Sequence, residues 1–348
     1  MHFRRISGFV VGLVVSLIFS AHASAKYKPL ILDMIQVNSG QYLAVGERGI
    51  VVSYQLKETS QGIAQTNQTE IETPTSFTLT SITRTEDTYW AVGHNSTILR
   101  STDAGNTWSI NFQANSHSPF LDIIFLTPNE GIAIGAYGLF YRTLDGGKTW
   151  QKEVKLGFLI EDDQLYLKDL KMSEPEFFQQ ELAALQPHLN QIISHGDTLI
   201  LVGEMGLVAV SRDKGSSWQR LPDVYSGSLF DAAIYYEKLI VSGLRGHIFE
   251  IDIDWHNLTF IESRQINLSQ PVNINRITID LTQNQIYLVG NSSHVWIWDG
   301  VSANAKLHIG DKKLSQQDNI ASITVAEKYL LLTGDLGISL VNRAKSEP

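Results

Sequence analysis

A pattern of three short apolar strands recurs seven times along the 348-residue chain and constrains its fold more than any other feature. In each unit the second strand ends at a glycine, a short turn follows, and a third strand begins. Five of the six intervals between these glycines match the length of one propeller blade, about 40–50 residues. The glycines are separated by 47, 42, 68, 40, 47 and 44 residues: Gly46, Gly93, Gly135, Gly203, Gly243, Gly290 and Gly334.

A small, mostly polar residue near the start of each first strand keeps step with these glycines. It precedes them by 12 to 15 residues: Asp33, Thr80, Asp122, Asn190, Asp231, Asn275 and Ala321. Short runs of β-branched and aromatic residues between Gly, Asn and Asp turns favour strands over helices. The chain is therefore predicted to be all-β, with a seven-bladed β-propeller over residues 26–343. Because the last unit ends soon after its third strand, we expect Tyr27–Leu30 to supply its outer strand.

Three units share the motif S/T-x-D-x-G-x-x-W, an Asp box, directly after their third strand. The carboxylate can accept hydrogen bonds from turn N–H groups, the glycine tolerates a positive φ, and the tryptophan can wedge against the sheet. We expect the three tryptophans to be buried and the boxes to be structural rather than catalytic. Their principal residues are Asp103, Gly105, Trp108, Asp145, Gly147, Trp150, Asp213, Gly215 and Trp218.

The third unit, from Leu121 through its Asp box to Trp150, resembles a repeat of the photosystem II stability/assembly factor-like propellers. This family comprises secreted propellers with BNR or Asp-box repeats. The resemblance extends over residues 30–342 and is most specific in units two to four. Photosynthetic members are lumenal assembly factors that hold a membrane-protein subunit, and similar propellers in other bacteria occur beside envelope exporters. The resemblance thus implies a non-enzymatic scaffold whose partner is a membrane or envelope protein, either an exporter or a photosystem subunit.

Residues 1–25 have the pattern of a secretory signal peptide. Arg4 and Arg5 precede an apolar run at 8–19, and an A-x-A cleavage site follows at 23–25. The run is shorter than the roughly 20 residues needed to span a bilayer. We therefore expect a mature chain that begins at Lys26 and is exported to the periplasm, or to the thylakoid lumen in a photosynthetic host. No lipid anchor is expected because no cysteine follows the site, and residues 344–348 form a short tail.

Composition excludes several classes of function. The chain has 36 acidic and 27 basic residues and no cysteine, and loss of residues 1–25 leaves a net charge of −11. Such a chain repels nucleic acids and anionic membranes. It has no thiol nucleophile and no thiolate metal site. Its histidines lack ligand spacing and it contains no phosphate-binding or dinucleotide-binding motif. We therefore predict no cofactor, no metal, no catalytic residue and no nucleic-acid partner, and we expect a monomer.

An Asp-box propeller glycoside hydrolase or carbohydrate-binding protein is the alternative function. A sialidase would need an arginine cluster and a tyrosine nucleophile paired with a glutamate, and the usual Tyr/Phe-Arg-Ile-Pro stretch is absent from the mature chain. Asp33, Asp122 and Asp231 could converge at the mouth of the central channel. There they would either cap the backbone at the strand starts, bind a hard cation such as calcium or, less readily, act as a hydrolytic pair.

The long interval between the third and fourth glycines contains an insertion at about 155–188. Ser173 and Glu176 have the spacing of a capping box, with Pro175 in the first turn of the helix that they predict. Phe177, Phe178, Leu182 and Leu185 lie along one side of this helix, which Pro187 would end. Either the helix buries this stripe on the propeller or it recognises a partner, since long insertions are often functional.

The turns between second and third strands lie on the same propeller face as the blade crossovers and this insertion. Arginine and tyrosine side chains dominate binding hot spots because they combine contact area with directional hydrogen bonds. We therefore predict a partner-binding surface on this face, formed by Arg48, Tyr137 and Arg245 in the turns, Arg276 near the channel mouth, and Phe177 and Phe178 on the helix.

Overall fold

The computed structural model describes residues 28–58, 64–308 and 318–343. Within these ranges the strands form seven antiparallel sheets, each built from consecutive strands. The fold is a seven-bladed β-propeller with one helical insertion, as the sequence predicts. The expected signal peptide at 1–25 and the tail at 344–348 lie outside the described residues.

The helical insertion lies between blades 3 and 4. Blade 1 contains β1 (Ile31–Asn38), β2 (Gln41–Gly46), β3 (Val51–Glu58) and β4 (Ala64–Ile71). Blade 2 contains β5 (Leu79–Thr85), β6 (Thr88–Gly93), β7 (Thr97–Ser101) and β8 (Ser109–Gln113). Blade 3 contains β9 (Phe120–Phe125), β10 (Gly131–Gly135), β11 (Phe140–Thr143) and β12 (Gln151–Lys152). Blade 4 contains β13 (Leu189–His195), β14 (Thr198–Gly203), β15 (Val208–Ser211) and β16 (Gln219–Arg220).

The last three blades complete the ring. Blade 5 contains β17 (Leu229–Tyr235), β18 (Lys238–Gly243), β19 (Ile248–Asp254) and β20 (Thr259–Ile266). Blade 6 contains β21 (Ile274–Asp280), β22 (Gln285–Gly290), β23 (Val295–Trp298) and β24 (Lys306–His308). Blade 7 contains β25 (Ile320–Ala326), β26 (Tyr329–Gly334) and β27 (Gly337–Asn342). The insertion contains α1 (Glu161–Ser173) and α2 (Pro175–Leu185). In the described part of the chain, no helix is long and apolar enough to cross a membrane.

The repeated glycine is required by space rather than by backbone conformation. At Gly93 the φ angle is −179°, which any residue can adopt. A Cβ atom there would lie 2.0 Å from the carbonyl oxygen of Thr78, which leads into the inner strand of the same blade. The other six repeat glycines meet the equivalent carbonyl at 1.8 to 2.2 Å. The seven-fold sequence pattern thus records one close backbone approach in every blade.

Apolar side chains between neighbouring blades form the core. Between blades 4 and 5, for example, Val202 and Val210 pack with Leu239 and Val241, all of which are almost completely buried. The ring closes in the same way, because Leu331 of blade 7 packs with residues of blade 1 such as Tyr42. Burial between sheets removes the apolar face that an isolated blade would expose.

The predicted outer strand of blade 7 is not formed by the described part of Tyr27–Leu30. Residues 28–30 belong to no strand, and Tyr27 lies outside the described residues. Leu30 instead donates its N–H to Glu47 Oε1 at 2.8 Å and accepts the Glu47 N–H at 2.9 Å. These bonds fasten the segment to the turn of its own blade, and blade 7 has three strands among the described residues.

Each Asp-box motif folds into a compact turn. In the first, Asp103 accepts the backbone N–H and the hydroxyl of Thr107, at 2.9 and 2.6 Å, and the indole N–H of Trp108 donates to Gly105 O at 3.0 Å. The hydrogen bonds from Thr107 lower the pKa of Asp103 to about 2. Asp145 and Asp213 make the equivalent bonds, and Trp108, Trp150 and Trp218 are each 8% exposed, as expected.

The insertion is a hairpin of two helices rather than the single helix that the sequence predicted. The predicted capping box at Ser173 is wrong, because Ser173 ends α1 and its hydroxyl donates to Asp169 O at 3.0 Å. Glu174 is the N-cap of α2, without a side-chain capping bond, and Pro175 occupies the first turn as expected. The apolar side of α2 packs against α1 rather than against the propeller, since Phe178, Leu182 and Leu185 join a core with Leu159, Leu167 and Leu170.

Candidate partner-binding face

The turns between the second and third strands of blades 1 to 6 have one unusual backbone feature in common. Their middle residue has a left-handed φ of 54° to 62°, although none of these residues is glycine. L-residues pay about 1–2 kcal/mol for this conformation. Such strain often occurs where a side chain is presented for function. The six residues are Arg48, Asn95, Tyr137, Met205, Arg245 and Ser292.

Four of these six side chains are exposed, and three of the four lie on neighbouring blades. Tyr137 is 64% exposed and Met205 is 49% exposed, and Arg48 and Arg245 are also exposed. Blades 3, 4 and 5 are neighbours, so Tyr137, Met205 and Arg245 form a continuous arc on the turn face. Arg48 lies on blade 1, with blade 2 on one side and blades 6 and 7 on the other between it and this arc. The predicted turn residues therefore share a face but not a single patch.

Arg48 lies beside a surface cavity of about 410 Å³ on blade 1. Acidic residues dominate the charged lining of this cavity, which includes Glu47, Glu70 and Glu72. At Arg245 the backbone N–H donates to Asn273 Oδ1 at 2.9 Å, which fixes the turn of blade 5 to the crossover leading into blade 6. Neither arginine is part of a larger basic patch within the described turns.

Contacts with blades 3 and 4 position the helical hairpin. The ring of Phe158, just before α1, lies 5.3 Å from Trp218 and 6.1 Å from Phe140. Arg220 donates to the carbonyl oxygens of Phe158 and Met205. The hairpin is therefore fastened at its first end to the turn that presents Met205.

The second end of the hairpin meets the turn that presents Tyr137. Gly138 donates its N–H to Pro187 O at 2.8 Å, and the Tyr137 ring lies edge-on to His188 at 4.5 Å. His188 in turn lies 3.4 Å from Glu204, the neighbour of Met205. We call the helices α1 and α2 together with Tyr137 and Met205 the blade 3/4 sector.

The two predicted helix phenylalanines have different environments. Phe178 is half-buried in the hairpin core, with the Lys171 ammonium 5.4 Å from its ring. Phe177 is 48% exposed. The structure also reveals exposed apolar residues on α1 that the sequence analysis missed, namely Leu165 and Met172 at 54% and 74% exposure. Their seven-residue spacing places them on one face of α1, opposite the buried Leu167 and Leu170.

A ring of polar side chains surrounds the channel mouth on the same face. A bulge near the start of each inner strand brings its third residue into this ring. Arg276 donates to Asp33 at 3.0 Å and to Asp231 at 3.4 Å, while Ser81 donates to Asp122 at 2.8 Å. We call this set the channel ring, in which six residues line the channel and Asp231 is bonded to Arg276: Asp33, Ser81, Asp122, Gln191, Asp231, Arg276 and Ser322.

The channel ring combines burial with partial compensation of charge. Burial raises the pKa of Asp122 to about 6 and that of Asp231 to about 7, although the Arg276 charge lowers both. The three aspartates raise the pKa of the Arg276 guanidinium despite its burial. The side chain of Arg276 is a quarter exposed because the channel, about 510 Å³ in volume, admits water around it. Its charge is directed at the acids of the ring and not at the outer turns.

The three aspartates act as hydrogen-bond acceptors between blades. Asp33, Asp122 and Asp231 each accept a backbone N–H from the inner strand of the next blade, at 3.1, 3.0 and 2.5 Å. All three bond to a neighbouring strand, and Asp122 also accepts the N–H of Ile123 in its own strand at 2.8 Å, as the capping interpretation expects. Among the described residues there is no group of three or more side chains arranged to hold a metal ion.

The small polar residues that the sequence pattern aligned near the start of each first strand occupy two different structural positions. Thr80, Asn190 and Asn275 lie one residue before the channel ring, and their side chains donate to the first inner-strand carbonyl of the next blade, at 2.7 to 2.8 Å. Odd-numbered blades 1, 3 and 5 use the acceptor position, and even-numbered blades use this donor position. Either position can therefore join neighbouring blades.

Comparisons with known proteins show the fold alone. No protein-family model matches the chain, and no curated protein matches it significantly. Among solved structures, YCF48 bound to a D1 peptide is 17% identical with a TM-score of 0.62, over 92% of this chain and 95% of that chain. YCF48 from Cyanidioschyzon merolae is 14% identical with a TM-score of 0.62, over 91% and 96%. The Cps50 (Swd1) propeller of Myceliophteria thermophila is 11% identical with a TM-score of 0.64, over 91% and 97%.

Proposed function

We propose that this chain is an exported, non-enzymatic scaffold that binds a segment of a membrane or envelope protein through its turn face. The observation that carries the proposal is the blade 3/4 sector, where an inserted helical hairpin and two strained, exposed turn residues meet. Among its exposed side chains are large apolar or aromatic ones, and clusters of such residues are common at protein interfaces: Tyr137, Leu165, Met172, Phe177 and Met205. The YCF48 structure with a bound D1 peptide supports peptide recognition by a propeller of this shape.

The channel ring favours a structural role over catalysis. Its acids already accept hydrogen bonds from backbone N–H groups, serine hydroxyls and Arg276. A glycosidase needs one carboxylic acid and one carboxylate that face the scissile bond from either side. Groups that hold neighbouring blades together cannot move to a substrate without loosening the ring. We therefore expect no turnover on a panel of glycan substrates.

Chemical crosslinking in the native envelope tests the proposal. A tagged full-length chain should recover a stable complex with a membrane or envelope protein. Deletion of residues 160–186 should reduce recovery at least fivefold while thermal unfolding changes little, because the hairpin has its own small core. The comparison variant is Arg48→Ala with Arg245→Ala, which removes the two turn arginines that lie outside the blade 3/4 sector. Recovery that survives the deletion would place the partner elsewhere, and glycan turnover would contradict the non-enzymatic role.

A further inference from the structure

Helix α1 presents an outward face on which apolar and acidic side chains alternate. Asp162, Leu165, Asp169 and Met172 follow the i, i+3, i+7, i+10 spacing of one helix face, and all four are exposed, with Lys168 at one edge of the face. The buried Leu167 and Leu170 point to the opposite side, into the hairpin core. Nothing in the described structure packs over this face. The stability of the hairpin therefore does not explain why positions 165 and 172 are apolar.

The negative charge of the hairpin indicates which kind of partner can bind to the outward face of α1. Residues 161–185 carry seven acidic side chains and two lysines, which is a net charge of −5 within a chain of net −9. A second copy of the chain would bring the same charge to the same place, and like charges facing each other oppose association. An anionic lipid surface would be repelled for the same reason. A segment with lysine or arginine between apolar residues matches both components of the face.

We propose that the outward face of α1, extended by Tyr137 and Met205, is a docking surface for a basic amphipathic segment of the partner protein. This inference rests on the proposed scaffold function and specifies the chemistry of its partner. Apolar side chains of the segment contact Leu165 and Met172, and its cations lie against Asp162 and Asp169. Met205 and Tyr137 lie at the two ends where the hairpin joins the propeller.

Two synthetic peptides of 18 residues test this chemistry on the full-length protein. Both contain the same leucines and methionines at helical spacing, and the polar positions are all lysine in one and all glutamate in the other. Fluorescence anisotropy should show binding of the lysine peptide that weakens as salt rises from about 50 to 300 mM, because salt screens exposed charges. The glutamate peptide should bind at least tenfold more weakly. Equal binding of both peptides, or binding of neither, overturns the inference.

Matched variants localise the interaction. Asp162→Asn with Asp169→Asn should weaken binding of the lysine peptide at least fivefold, and Leu165→Ser with Met172→Ser should do the same. Glu86→Gln with Asp87→Asn makes the same change in net charge at an exposed hairpin of blade 2 and should leave binding within twofold. Circular dichroism checks that the helices are retained in every variant. Equal losses from the two charge variants would indicate non-specific attraction and would overturn the docking surface.

The native complex separates this inference from the scaffold function. If crosslinking still recovers an envelope partner while the lysine peptide does not bind, the scaffold stands and the chemistry of the segment is wrong. If hairpin deletion leaves complex recovery intact, the face assigned to the scaffold is itself wrong. A concentration-dependent dimer that disappears in the Leu165→Ser, Met172→Ser variant would identify a second copy as the occupant and would also overturn the inference.

Discussion

Met205 combines an unfavourable backbone conformation with an exposed side chain. Its φ is 55°, and glycine adopts this region without the steric penalty of a Cβ atom. We expect Met205→Gly to raise the free energy of unfolding by about 0.5–1 kcal/mol, since removal of the strain outweighs the extra freedom of glycine in the unfolded chain. The same change should weaken recovery of the partner complex. Denaturant unfolding and crosslinking measure the two effects.

Ser292→Gly is the control for this change. Ser292 has a φ of 62° in the equivalent turn of blade 6, outside the blade 3/4 sector. Its replacement should also stabilise the protein but leave complex recovery unchanged. If Met205→Gly lowers stability, the left-handed turn carries no strain. If both variants weaken the complex equally, the contact is not specific to the sector.

Two groups of aspartates with opposite changes in pKa predict a maximum of stability near pH 4. Burial raises the pKa of Asp122 to about 6 and of Asp231 to about 7, so between about pH 4 and 7 the native state binds more protons than the unfolded state. The free energy of unfolding should therefore fall as the pH rises through that range, by about 1.4 kcal/mol for each pH unit that separates the native pKa from the unfolded one. Hydrogen bonds lower the pKa of Asp103 to about 2. The stability that this carboxylate adds is therefore lost only as the pH falls from about 4 to 2.

Urea unfolding from pH 3 to pH 8 measures this profile. Replacing the two ring acids, Asp122→Asn with Asp231→Asn, should flatten the decline between pH 4 and 7, because the amides do not titrate. A wild-type stability that increases steadily from pH 4 to 8 would show that the ring acids remain ionised.

The composition of the channel ring could not be predicted in full, since a one-residue bulge decides whether Asn275 or Arg276 points into it.

The helical hairpin and the blades are separate packing units. Leu167 is fully buried in the hairpin core, whereas Phe158 is fully buried between Phe140 and Trp218 of the propeller. We expect Leu167→Ala to increase amide hydrogen exchange in α1 and α2 with little change in global unfolding. Phe158→Ala should instead lower the global free energy of unfolding by about 3–4 kcal/mol, as large core truncations do. Equal global losses from both variants would mean that the hairpin and the propeller unfold together.

Elements of the propeller were more predictable from sequence than those of the insertion. Blade strands follow a repeat that the close approach at Gly93 and its equivalents imposes seven times. Helix α1 has no such repeat, and only Leu167 and Leu170 of its 13 residues are buried. Its stability depends on α2, which a local pattern does not show. The two-helix form and the exposed face of α1 therefore emerged only from the structure.

The closure of the ring depends on contacts between residues that are far apart in sequence. Ser322 of blade 7 and Arg276 of blade 6 both donate to Asp33 of blade 1, at 3.3 and 3.0 Å. The end of blade 7 is also fixed to blade 6, since Arg343 pairs with the buried Asp280 and donates to Thr282. Sequence spacing predicted seven blades, but it could not show that side chains rather than an N-terminal strand join the described ends.

Asp33 connects more blades than any other residue described in the channel ring, so its loss should affect the whole molecule. It accepts hydrogen bonds from blade 2 through Ser81 and the Ile82 N–H, and from blades 6 and 7 through Arg276 and Ser322. Asp33→Ala would leave four donors without this acceptor, and one of them is the largely enclosed guanidinium of Arg276, which would also lose a counter-charge. We expect a loss of about 3–5 kcal/mol in the free energy of unfolding, the usual cost of breaking a buried ion pair from one side.

Asp33→Asn should cost about half as much, because the amide oxygen can still accept the Ile82 N–H while the attraction to Arg276 is lost. Asp87→Ala, at an exposed turn of blade 2, should change stability by less than about 0.5 kcal/mol and controls for the loss of one acid. Denaturant unfolding gives the free energies, and hydrogen exchange should show the first loss of protection in blades 1 and 7, where the ring closes. If Asp33→Ala unfolds no more readily than Asp87→Ala, packing of Leu331 on blade 1 closes the ring by itself and the polar contacts at the channel mouth add no stability.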